Sequence, residues 1–171
     1  MFQLHLDPFT RWLEAQGRKP GLYQPGGMFG YPPLGWELSV GRSKVVYRVD
    51  PAQAETLILV LIARDSSRAG LHSPFGDLIR FLSLLKQSDV GITHVNGHIN
   101  AVSWRPEDGL TTPRMRPFYV KHLGGHYFTD ENGTEWVRGS LDEAFLQLTA
   151  SMKSRKQRVE SVLGHEESLH D

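Results

Sequence analysis

The sequence contains no cysteine. This excludes a disulfide framework, thiolate catalysis and cysteine-ligated metal, and it suits a reducing compartment. Net charge is missing as well: Lys plus Arg number 19, and Asp plus Glu number 19. No overall field therefore draws the chain to nucleic acid or to an anionic membrane. Long apolar runs are also absent. The longest, LILVLIA at 57–63, falls far short of the ~20 residues a membrane-spanning helix needs. The opening MFQLHLDPFTRW has no basic stretch leading into an apolar core, so no targeting segment is expected there. A length of 171 residues fits one domain, expected over 1–164 with a flexible tail at 165–171. A chain of this size can bury a core without a metal or disulfide staple.

Catalytic signatures are equally scarce. The chain has neither G-x-S-x-G nor H-E-x-x-H. PGGMFG at 25–30 has the glycine spacing of a phosphate loop, but no Lys-Ser/Thr follows and no strand leads in. Asp65, Asp77 and Asp89 are scattered at element ends, where capping and solvation account for them. No enzyme activity and no cofactor is expected.

Histidine is present in a suggestive arrangement. THVNGHIN and KHLGGHYF each hold an H-x-x-x-H pair, His94/His98 and His122/His126. On a helix that spacing puts two imidazoles on one face, ready for a metal. Both intervening triplets contain glycine, which argues against a helix. In a strand, residues four apart lie ~13 Å from each other, too far to share an ion. No metal site is expected.

The apolar pattern predicts an α+β fold: a mostly antiparallel sheet with helices packed on it, ordered helix–three strands–helix–strands–helix. Asp7 and Pro8 start a helix that presents Phe9, Trp12 and Leu13 on one face and stops at Gly17. The glycine- and proline-rich stretch 17–35 disfavours regular structure. WELSV and KVVYRV around GRS read as a hairpin, and ETLILVLIARD as a central strand. A second helix follows from Ser73-Pro74, with Phe75, Leu78, Leu82 and Leu85 inward and Ile79 and Phe81 at the margins. Asn96-Gly97 predicts a two-residue hairpin turn, and HYFTDENGTEWVRG a hairpin at DENG. TPRMRPFYVKHLGG predicts a short helix ending at glycine. The last helix opens with a capping box, Ser140 and Glu143, and carries Leu141, Phe145, Leu148 and Met152 on its apolar face.

Two surface readings remain open. Lys153, Arg155, Lys156 and Arg158 could track phosphates, which would make the chain a nucleic-acid-binding regulator, or they could be cations favoured near a helix C-terminus. Trp104, Leu110, Met115, Phe118 and Tyr119 would make a partner surface if they face solvent, or would close the open face of the sheet.

A family likeness narrows these choices. RWLEAQG, LILVLIAR, RAGLHSPFGDL, NGHINAV, RMRPFYVKHLGG and NGTEW follow one another in an order that resembles the low-calcium-response protein R (LcrR) family of type III secretion regulators. The matching residues are Arg68, Gly70, Leu71, Pro74 and Phe75, then Phe118 and Tyr119, then Trp136. Together with Trp104 they are the candidate family-motif and partner-binding positions. The resemblance implies a cytoplasmic, non-enzymatic protein of a Gram-negative bacterium that controls secretion by contacting another secretion protein. The element order is also similar to that of class I secretion chaperones, homodimers that bind an extended client, so a homodimer is an arrangement to test. Gly70, Pro74 and Phe75 equally suit a structural role at the strand-to-helix junction.

Overall fold

The computed structural model describes residues 4–24, 32–64, 74–98, 120–121 and 124–167. Its first helix, α1 (Pro8–Ala15), has Asp7 as N-cap, with Oδ1 accepting the Thr10 N–H at 2.8 Å. Gly17 N–H reaches Glu14 O, and Arg18 N–H reaches Leu13 O, each at 3.0 Å. This double closure ends the helix and fixes the backbone of Arg18 just beyond it. Phe9 and Leu13 are fully buried.

Among the described residues four strands, not three, precede the second helix: β1 (Gly21–Tyr23), β2 (Gly35–Val40), β3 (Ser43–Val49) and β4 (Thr56–Arg64). The added one is β1, inside the stretch expected to lack regular structure. It pairs antiparallel with β2 through Leu22 and Trp36, and Leu34 N–H bonds Tyr23 O at 2.9 Å. An edge strand needs only one partner, so glycine and proline around it are tolerated. The β2–β3 hairpin turns where GRS predicts. In β4 the register skips Val60, since Tyr47 faces Leu59 while Val46 faces Leu61. That bulge keeps Leu57, Leu59 and Ile62 all in the core.

Helix α2 (Pro74–Ser88) carries the chain across to β5 (His94–His98), which lies parallel to β4. This overturns the hairpin expected at Asn96-Gly97. Both residues sit inside β5, paired with Ile58 and Leu59 on one side and with Arg138 and Val137 on the other. The crossover through α2 lays β5 parallel to β4, and pairing on both sides holds the dipeptide extended. Next come β6 (His126–Thr129) and β7 (Glu135–Ser140), the hairpin predicted at DENG, and then α3 (Leu141–Glu167). Glu143 N–H bonds Ser140 Oγ at 3.1 Å, so the expected N-cap is in place. The helix continues to Glu167, into the stretch assigned to the tail.

The result is a seven-stranded, mostly antiparallel sheet in the order β1-β2-β3-β4-β5-β7-β6. The three helices share one core with a single face of that sheet. Leu38, Val45, Tyr47, Leu57, Leu59, Val95 and Val137 meet Phe9, Leu78, Phe81, Leu82, Leu85, Ala144 and Leu148 there. Phe81, expected at the margin of α2, is fully buried, with its ring 5.8 Å from Phe9 and 5.4 Å from Tyr47. On the opposite face Val46, Ile58 and Ala63 are buried outside this cluster.

Candidate functional site

Trp136 is the candidate residue that the structure describes with its side chain. Its indole Nε1–H donates to Asp130 Oδ2 at 2.9 Å. The other oxygen of Asp130 accepts the Asn132 and Thr134 N–H groups, both at 2.9 Å. One carboxylate thus holds both the turn and the strand of the β6–β7 hairpin, and NGTEW is the chemistry of that turn. Tyr127 adds a bond from its hydroxyl to Glu135 Oε1 across the same pair. In KHLGG, Gly124 has φ +61°, and a Cβ on Gly125 would lie 2.5 Å from Arg138 O. The glycine pair lets the chain enter β6 against β7.

Pro74 is the first residue of α2 and Phe75 the second; their side chains are outside the described residues. Arg68, Gly70, Leu71, Trp104, Phe118 and Tyr119 also lie outside them. Of the short helix expected before Gly124, Val120 and Lys121 are described and are helical.

Asp77, assigned by sequence to capping or solvation, is instead a buried latch. Its Oδ2 accepts Ser43 Oγ–H at 2.7 Å and the Arg42 N–H at 3.2 Å, which ties α2 to the β2–β3 turn. Gly41, at φ +59°, lies so close that a Cβ there would collide with Asp77 Oδ1. A short helix-to-turn reach of this kind has no sequence signature beyond a polar residue on an otherwise apolar face.

His94 and His126 do not converge. His94 and His98 are the two ends of β5, and β7 separates that strand from His126 on β6. Two strand spacings alone are ~9.6 Å. His122 is outside the described residues. Among the described residues no three His, Asp or Glu side chains gather to hold a metal. Of the basic cluster, Lys153 and Lys156 share one side of α3 at ~100° per residue, and Arg158 lies on another. Nothing in this geometry favours phosphate tracking over a solvated helix.

The outer edge of the sheet is the more distinctive surface. All four side chains of β6 are exposed, including Tyr127 (39%) and Phe128 (36%). Across the face shared by Phe128 and Trp136, the register aligns Arg48, Ile58, Asn96, Arg138 and His126. Burial lowers the pKa of the Arg48 guanidinium, and Asp50 opposes that shift. Arg138 Nη1–H bonds Gln53 Oε1 at 2.6 Å.

The architecture is that of a small α+β protein with helices packed on one face of its sheet, buried aliphatic side chains on the other and an exposed aromatic edge, and among the described residues no helix is long and apolar enough to cross a membrane. The family model for type III secretion system regulators (LcrR) matches residues 6–157. The chain belongs to that family. No curated protein and no solved structure matches it.

Proposed function

We propose that this secretion regulator works in the bacterial cytoplasm by holding another protein of the secretion system, and that β6 is where an extended segment of that partner adds to the sheet. The observation that carries this reading is the edge itself. Strand β6 pairs with β7 on one side, and among the described residues no strand pairs with its other side. Tyr127 and Phe128 project from it toward opposite faces, so a docked strand would gain apolar contacts above and below. Family membership supports a regulatory role, and the braced turn at Asp130 and Trp136 keeps the edge in shape without a partner.

Native co-purification from the source bacterium tests it. The wild-type chain is expected to bring down a secretion protein, and Phe128→Arg is expected to lose it while keeping its thermal midpoint. If the partner is stabilised as a chaperone client, its half-life shortens when the regulator is deleted. The reading fails if no secretion component is enriched and deletion leaves secretion unchanged.

A further inference from the structure

A groove of about 360 Å³ lies between α2, the end of β2 and Arg18, three residues beyond α1. Its apolar lining comes from Val40, Ile79 and Leu84. Arg18, Arg80, Ser83 and Gln87 also line it. The fold sets this arrangement. The closure of α1 fixes the backbone of Arg18 at the groove, and the Asp77 latch holds the β2–β3 turn against α2.

The charges are not balanced locally. Arg18 is exposed and makes no ion pair among the described residues. Arg80 is 70% exposed, and its Nη1 stands 4.0 Å from Asp77 Oδ1, the limit of an ion pair. Asp77 itself is buried and already serves Ser43 and Arg42. An apolar floor beside two guanidiniums matches a ligand that joins an aliphatic or aromatic side chain to carboxylates.

We infer that this groove docks an acidic, amphipathic segment of a partner protein, with an apolar side chain against Ile79 and Leu84 and flanking Asp or Glu residues on Arg18 and Arg80. The inference deepens the reading that the chain acts by holding another protein, and adds a contact chemistry distinct from strand addition at β6. Carboxylates are favoured over a phosphodiester backbone because the apolar part of the lining, Val40, Ile79 and Leu84, is aliphatic and offers a base no aromatic ring to stack on.

The test uses the full-length chain and a displayed library of random twelve-residue peptides. Selected sequences are expected to place Asp or Glu on both sides of a large apolar residue. Their affinity, read by fluorescence anisotropy, should weaken with added salt. It should also fall about tenfold or more in Arg18→Glu and in Arg80→Glu, whose thermal midpoints stay at the wild-type value. Peptides without charge bias, or equal binding by the reversed variants, would overturn the inference. So would a single-stranded oligonucleotide, or a second copy of the chain, that binds more tightly than the peptides and is lost with the same reversals. Because the readout is peptide binding, it can fail while native co-purification succeeds, and the reverse.

Discussion

Tyr47 Oη lies 2.8 Å from Thr10 Oγ1, which lies 2.8 Å from Asp7 Oδ2. An ionised carboxylate only accepts, so the single Thr10 proton goes to Asp7 and Tyr47 must donate to Thr10. Burial is the main reason the phenol's pKa is raised well above its ordinary value. The sign follows directly. Above about pH 10 the unfolded chain gives up this proton while the folded one keeps it, so the contribution is full below that pH and lost as pH rises. Wild type is expected to lose more urea stability between pH 8 and pH 11 than Tyr47→Phe, which should cost about 1 kcal/mol at pH 8. Equal alkaline losses would refute the assignment. Asp77→Ala leaves the Ser43 hydroxyl and the Arg42 N–H without their buried acceptor. We expect a cost of about 3 kcal/mol, or a thermal midpoint lower by about 6–12 °C in calorimetry, with Asp77→Asn roughly half as severe because it keeps one oxygen acceptor.

At the scale of elements, the β6–β7 hairpin depends on one carboxylate and one indole. Trp136→Phe keeps a ring but removes the donor to Asp130. Amide exchange of β6 should speed up several-fold while β4 stays protected, and unchanged exchange in β6 would show the brace to be idle. What the sequence revealed about elements follows the range of the forces involved. Asp7-Pro8, Gly17 and Ser140 with Glu143 act within one helical turn, so the ends of α1 and the start of α3 were legible. The DENG turn was legible for the same reason. Asn96-Gly97 was misread because its neighbours, Ile58 and Arg138, are brought to it only by a crossover and a later strand. Strand β1 was missed because its one partner, β2, lies beyond a glycine- and proline-rich stretch. Near the candidate positions, the Trp136–Asp130 bond and the Gly124-Gly125 pair are local features of the β6–β7 hairpin. The Arg18–Arg80 groove had no signature, since it joins a helix end, a second helix and a strand end.

For the molecule as a whole, the two surfaces stand far apart. The groove sits by β2 and the aromatic edge is β6, five strand spacings away, or ~24 Å. A partner using both must span that width, and the two contacts should not couple. Arg80→Glu and Phe128→Arg are therefore expected to reduce the affinity of the native partner by factors that multiply in the double variant, as titration calorimetry would read. A double variant no weaker than either single one would place both residues at a single contact. The parallel β4/β5 seam also sets the order of assembly. Strands β2, β3 and β4 follow one another through short turns, so their loops close early and cheaply. Strand β5 waits for α2 to cross, and β7 reaches it only when the chain from 98 to 135 has returned. Pairings so remote in sequence are slow to form. During synthesis, the half of the sheet that carries the aromatic edge is the last to be shielded, and it is the half that proteases and folding helpers encounter unfinished.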